Sequence, residues 1–286
     1  SSVQIDVLIN GNIISMEEAL ALEGQAHSIK QNQLFMLAKI VLKAILPDTA
    51  YNSVARTFPI QKLQSNRAKQ ISEKARVLYD ALLLTLPQHF EAIKGIESNK
   101  KFVVIHDTTH HSHPGLHEEN NARLATEGMQ WIRENNVQCI AVSQSTAADL
   151  SKQGFDSTLI YEGVNRKTFY PINNQHLLQL VKERYELPNQ KFLLSVSTLE
   201  PRKNILRLIN AYSELSEALR NEYHLVLVGR KGWKWNSVKI PAQCKGQIHF
   251  TGFVQDEHLP ALYTLASGFC YISLYEGFGL PVLEAM

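Results

Sequence analysis

The chain has 286 residues, of which 44% are hydrophobic and 20% charged, a globular composition that excludes global disorder. Its 29 basic and 27 acidic side chains leave a net charge of +2, so no overall field favours nucleic acid. Three cysteines, Cys139, Cys244 and Cys270, are too few and too scattered for a disulfide framework or a zinc site; Cys139 and Cys270 read as small core residues of a reduced, cytosolic protein.

At roughly 150 residues per domain the length allows two domains. The chain begins with a short strand, Gln4–Asn10, and the rest of its first hundred residues reads mostly helical. The most apolar helical run, Leu34–Leu46, is 13 residues long and too short to span a membrane. It carries Lys39 and Lys43 on one face, as a surface helix would, or one lying on anionic lipid. Residues 51–79 add six basic side chains (Arg56, Lys62, Arg67, Lys69, Lys74 and Arg76) against Glu73 alone, a local excess of five that keeps a peripheral membrane role open. No basic head precedes an apolar core at the N-terminus, so a signal peptide is not expected and a cytoplasmic location is.

From Lys101 the pattern changes. Lys101–Ile105 reads as a strand ending in His106-Asp107, and a helix follows around Glu118–Asn135. Cys139–Val142 is a second strand, and Ser143 or Ser145 suits the N-cap of a helix over Thr146–Lys152. Thr158–Tyr161 is a third. Short apolar strands alternating with helices mark a parallel, doubly wound sheet. Between Asn165 and Asn189 the alternation loosens, with Pro171, Asn173, Asn174 and Pro188 as breakers. This places an N-terminal domain over 1–170, a linker over 171–190 and a second domain over 191–286.

The second domain repeats the alternation. Strand Phe192–Leu199 leads to helix Asn204–Leu219, and strand His224–Val228 to the loop Gly229–Trp233. Strand Gln247–Phe253 precedes helix Asp256–Ala266, and strand Gly268–Leu274 runs into Glu276-Gly277-Phe278-Gly279-Leu280-Pro281. Two such domains would face each other across a cleft at the carboxyl ends of their sheets, where these folds bind ligands.

Three groups of residues could carry chemistry. Glu276 and Glu284 lie eight apart, with Pro281 suited to the first turn of a helix between them. Two carboxylates so placed suit sugar or ribose hydroxyls, and Gly277 and Gly279 permit close backbone approach. Glu200-Pro201-Arg202-Lys203-Asn204 follows another strand, and its basic pair suits a diphosphate. His106 sits at a strand end of the first domain. Five histidines crowd into HDTTHHSHPGLH, but the run contains Pro114-Gly115 and no helical pair of ligands with a matching carboxylate, so no metal is expected. No Asp-x-Asp occurs anywhere in the chain.

These residues resemble a known family. FLLSVSTLEPRKN, YHLVLVGRKGW, IHFTGFV, LPALY and YISLYEGFGLPVLEAM together look like the retaining GT-B glycosyltransferases of family 4, with Glu276 and Glu284 matching its E-x7-E motif. The TLEPRKN and GRKGW forms are most similar to a bacterial subset that adds mannose or a related sugar to polysaccharide or lipopolysaccharide chains. VVIHDTTHHSHPG, CIAVSQSTAADL and YEGVNRKTFYP are similar to segments of the family's first domain and linker. The resemblance covers about residues 101–286.

What it implies is an α/β chain of two Rossmann-like domains and metal-independent transfer of a hexose, with retention, from GDP-mannose or a UDP-sugar to a glycan or lipid-linked acceptor. Glu284 would bind the ribose and Glu276 the donor sugar. Lys203 and Arg202 would neutralise the leaving diphosphate. Backbone amides of Gly277, Phe278, Gly279 and Leu280 would hold sugar and phosphate, Val254 would line the base pocket, and His106 would approach the sugar from the first domain. The chain departs from the pattern at Ser197-Thr198, where many members have Gly-Arg, and in lacking a glycine-rich loop after the first strand. Members continue past the E-x7-E helix, so the second domain is expected to be incomplete at Met286. A sugar-nucleotide epimerase or phosphorylase, or a non-catalytic relative, are the competing readings.

Overall fold

The structure, a computed structural model, describes residues 6–9, 12–15, 79–232 and 239–286. The lysine-bearing run Leu34–Leu46, residues 51–78 and Trp233 lie outside the described residues. The rest divides into two compact units. One holds the described residues up to His111 together with Glu119–Tyr161, and the other holds Ser112–Glu118 and the described part of Glu162–Met286.

In the first unit β1 (Asp6–Ile9) pairs antiparallel with β2 (Asn12–Ser15). β3 (Tyr79–Leu84), β4 (Ser98–Ile105), β5 (Gln138–Ala141) and β6 (Ser157–Leu159) follow one another across a second, wholly parallel sheet. The helical reading of the first hundred residues is corrected at Asn12–Ser15 and Tyr79–Leu84, which are strands. A six-residue run such as YDALLL has no decisive period, and pairing with β4 settles it: Leu84 is fully buried in one cluster with Val103 and Ile105.

Between these strands run α1 (Phe90–Ile93), α2 (Thr109–Ser112), α3 (Glu119–Glu134) and α4 (Gln144–Lys152). Ala125, Met129 and Ile132 of α3, spaced four and three apart, are buried on one face. Cys139 lies in the same core, where burial pushes its thiol up to about 11. Ser143 is the cap of α4, accepting the Thr146 amide at 3.1 Å.

The second unit carries α5 (Gln175–Arg184), β7 (Lys191–Val196), α6 (Ile205–Ser213), α7 (Glu217–Glu222), β8 (Tyr223–Val228), β9 (Ile248–Gly252), α8 (Leu259–Leu265), β10 (Gly268–Phe269) and α9 (Leu280–Ala285). Its sheet is parallel, in the order β10-β7-β8-β9. Central β8 shows why it is covered on both faces. Val226 and Val228 enter one cluster with Val181 and Leu262, and Leu225 and Leu227 enter another with Ile209 and Tyr212.

Three sequence expectations differ here. The stretch 171–190 contains α5, because Asn174 is a cap, accepting the Leu177 amide at 3.1 Å, and Leu178 and Val181 face the core. The helix expected over Asn204–Leu219 breaks after Ser213, since the buried Arg220 turns its guanidinium onto the carbonyls of Ser213 and Leu215. The strand expected over Gly268–Leu274 stops at Phe269. After the Cys270 amide bonds Leu194 O at 2.8 Å, the chain leaves the sheet.

β8 and β9 also hold a histidine pair, His224 Nδ1 lying 2.8 Å from His249 Nε2 with the rings stacked 5.1 Å apart. One ring must donate and the other accept, so a charge on both is excluded. Burial lowers the proton affinity of each, and His224 lowers that of His249 further. Unfolded histidine protonates near pH 6.5, so the pair's contribution is complete above about that pH and is lost as pH falls below it. The urea midpoint should therefore drop between about pH 7.5 and about pH 5.5, and drop less in His249→Gln. An equal drop in both proteins would contradict this.

Candidate functional site

The site lies where β7 ends in the second unit. The Ser197 amide bonds Val228 O at 3.0 Å, and beyond it the Leu199 amide bonds Arg230 O and the Gly232 amide bonds Leu199 O, each at 2.9 Å. Residues 197–199 thus run alongside the loop after β8. Only glycine fits at 229: φ is +138°, and a Cβ there would stand 1.8 Å from Ser197 O. Thr198 is half-buried beside Gly232, where its methyl would lie 3.2 Å from an added Cβ.

Glu200 is extended, and Pro201 opens a single 3-10 turn, Pro201–Lys203, before α6. Asn204 closes that turn in the left-handed region, φ +59°, a conformation asparagine tolerates. Its side-chain amide donates to Ile272 O at 3.2 Å, and the Leu274 amide donates to Arg202 O at 2.8 Å. These two bonds hold the segment leaving β10 against the turn and bring Glu276 to Lys203, 73 positions away in sequence.

The result is a compact charge cluster. Arg202 Nη1 donates to Glu276 Oε2 at 2.9 Å and to Tyr275 O at 3.2 Å, and its Nη2 reaches Glu200 Oε1 at 3.3 Å. Lys203 Nζ donates to Glu276 Oε1. The side chains of Arg202, Lys203 and Glu276 are 15%, 13% and 18% exposed, so the pairs are shielded from bulk water yet open on one side.

Burial by itself would raise the proton affinity of Glu276. The charges of Lys203 and Arg202 outweigh it and hold the carboxyl below its usual range, with further hydrogen bonds from Lys203 and Ser273. Lys203 is lowered by burial first and by Arg202 second, against the pull of Glu276. Tyr271 is raised by burial and by the neighbouring Glu276, to which it bonds. An ionised Glu276 is an acceptor for hydroxyl groups and a stabiliser of positive charge, and it has no proton to give.

Gly277 and Phe278 lead to Gly279, which caps α9 at φ +98°; Leu280 and Pro281 form the first turn. Glu284, in that helix, receives the Tyr263 hydroxyl on Oε2 at 2.8 Å. Val254 is 4% exposed and packs in the core with Val228 and Leu259, while Phe253 beside it is exposed and carries Arg230 4.4 Å above its ring. His106 belongs to the first unit, at the carboxyl end of β4, where its carbonyl accepts Thr146 Oγ1 at 3.0 Å. The histidine-rich run is divided: His106, His110 and His111 lie with the first unit, and His113 and His117 with the second, where His113 meets the Tyr275 ring at 5.9 Å. Among the described residues no three or more His, Cys, Asp or Glu side chains are grouped as a metal site.

The structure therefore gathers Arg202, Lys203 and Glu276, bonds Glu284 to Tyr263, and leaves His106 in another unit. Sequence reasoning assigned no role to Glu200, Ser273, Tyr271 or Tyr263. Glu200 stood within EPRKN, but the hydroxyls had no signal beyond ordinary core spacing.

Residues 180–286 match the model described as glycosyl transferases group 1. Over 110 residues, 37% of this chain, the sequence is 46% identical to O-antigen chain mannosyltransferase B of Escherichia coli, covering 29% of that protein. It is 38% identical over 155 residues, 51% of this chain, to serotype-specific mannosyltransferase WbdA of Escherichia coli, covering 19% of it. The chain thus spans less than a third of either relative. Among solved structures, sucrose-phosphate synthase from Thermosynechococcus elongatus superposes with a TM-score of 0.58 at 20% identity, over 80% of this chain and 60% of that one. HepE of Anabaena, solved with UDP-glucose, gives 0.58 at 18% identity, over 78% and 60%. These likenesses establish the GT-B fold, and the match to glycosyl transferases group 1 covers residues 180–286.

Proposed function

We propose that the chain moves a hexose, mannose in the first instance, from a nucleotide sugar to a glycan or lipid-linked acceptor, without a metal and with retention of anomeric configuration. The observation that carries this reading is the Arg202–Lys203–Glu276 cluster beyond the carboxyl end of β7, inside a group 1 domain. Cleaving a sugar–phosphate bond builds negative charge on the diphosphate and positive charge on the anomeric carbon. Two fixed cations serve the first and an ionised carboxylate the second.

In this reading Lys203 and Arg202 receive the leaving diphosphate, and Glu276 holds the donor sugar. Glu284 binds the ribose, and the Gly277–Leu280 backbone, Thr198 and Val254 are assigned to the donor. His106 stands as the first unit's candidate. Mannose is supported by the likeness to the two Escherichia coli mannosyltransferases, and GDP-mannose is the donor proposed first; the HepE complex with UDP-glucose keeps a UDP-sugar in view. Peripheral contact with the inner face of the membrane rests on the basic stretch of residues 51–79, and no helix among the described residues is long and apolar enough to cross a membrane.

The test is release of nucleoside diphosphate from GDP-mannose or UDP-sugars in the presence of an acceptor, followed by NMR of the product anomer. Turnover should survive a chelator, and an α-linked donor should give an α-linked product. Loss of turnover on chelation, or inversion, would contradict the metal-free and retaining parts separately.

A further inference from the structure

Glu284 is held in place by a side chain outside the E-x7-E motif. Tyr263, on α8, donates its hydroxyl to Glu284 Oε2 at 2.8 Å. The phenol is half-buried, and its removal from water together with the charge of Glu284 raises its proton affinity and keeps it a donor. Its ring is fixed by edge contacts with Phe269 at 5.4 Å and Phe169 at 6.1 Å.

Phe169 is itself tied down. Its amide bonds Asn165 O at 2.9 Å, and three residues on, the Ile172 amide donates to Thr264 Oγ1 at 3.0 Å, the neighbour of Tyr263 on the same helix. The hydroxyl is thus a stationary point, held by a strand residue, a helix and the stretch 165–172. A glutamate side chain otherwise turns about three bonds, and ordering it on binding costs affinity.

We propose that Tyr263 is a positioning residue for nucleotide ribose: its hydrogen bond fixes the plane of the Glu284 carboxylate so that the two oxygens face the two vicinal hydroxyls of a ribose ring. A carboxylate oxygen accepts more than one hydrogen bond, so accepting from Tyr263 does not by itself prevent Oε2 from also accepting a ribose hydroxyl. The proposal rests on the reading of Glu284 as the ribose ligand. It assigns discrimination between ribo- and deoxyribonucleotides to a residue on α8, 21 positions before the carboxylate it orients.

Calorimetric titration of the 286-residue chain with GDP, UDP and their 2′-deoxy counterparts tests it. The wild type should bind the preferred ribonucleotide about tenfold more tightly than its deoxy form, the effect of one charge-assisted hydrogen bond. Tyr263→Phe, which keeps the aromatic packing, should cut that ratio to about threefold or less, with the melting temperature shifted by no more than a few degrees. A role in packing alone would weaken both nucleotides equally and leave the ratio unchanged, which would overturn the proposal. Glu284→Gln separates the two readings. If it abolishes discrimination while Tyr263→Phe does not, Tyr263 has no such role and the ribose reading stands. If Glu284→Gln leaves discrimination intact, the ribose reading falls, and the role of Tyr263 with it.

Discussion

Lys203→Ala is expected to lower kcat by about a hundredfold or more, the scale on which loss of one preorganised charged donor acts. The reason is position. Lys203 sits in the 3-10 turn after β7, largely removed from water, and its ammonium is held by Glu276 before any ligand arrives. A cation in that setting interacts with developing charge more strongly than one in solvent, and it needs no reorganisation when the bond breaks. Binding of free nucleoside diphosphate should weaken in parallel, and should become less sensitive to salt as one cation is lost. Steady-state kinetics decide between roles: if kcat held steady and only KM rose, Lys203 would bind substrate and transition state alike.

Glu276→Gln is expected to separate transfer from product binding. The substitution keeps the size and removes the charge that faces both Lys203 and Arg202. Transfer should fall to roughly a hundredth of wild type or below, because the sugar loses its carboxylate partner. Nucleoside diphosphate alone should bind at least as tightly as before, since the two cations no longer have Glu276 to neutralise them. Stability should drop by about 2 kcal/mol, less than for a fully buried pair, because two neighbouring positive charges lose their common partner. In acid the wild type should behave similarly. The Glu276 carboxyl is held below its ordinary range, so its contribution is present above about pH 4.5 and is lost as pH falls through the lower folded value. Equal loss of sugar-nucleotide and diphosphate binding in Glu276→Gln would place Glu276 with the phosphate rather than the sugar.

Much of the second unit is legible in the sequence because each parallel strand is a short run bounded by turn residues. LVLV of β8 fills two cores by simple alternation, and EPRKN and EGFGLP mark strand ends by composition. What cannot be read is contact over long separation. Nothing in the spacing of Arg202 and Glu276 says that they meet; that follows from the left-handed Asn204 and from a strand that ends after two residues. The Tyr263 hydroxyl is invisible for a similar reason. LPALY reads as an amphipathic helix, and a phenol at a core position looks like packing until its partner from α9 is placed. α5 is missed because Asn174, which resembles a breaker, is a helix cap. In the first unit the expected Ser143 cap and the strand before His106 are present, whereas β3 depends on pairing with β4 that no local pattern reveals.

A donor site built on Arg202, Lys203 and Glu276 should lose affinity when one of its cations is removed. The most direct measurement is calorimetric binding of a panel of sugar nucleotides, GDP-mannose first, to the wild-type chain and to Lys203→Ala. One donor should bind the wild type, stabilise its fold by mass action, and bind Lys203→Ala at least tenfold more weakly, about 1.4 kcal/mol. Equal affinity of that donor for both proteins would contradict it.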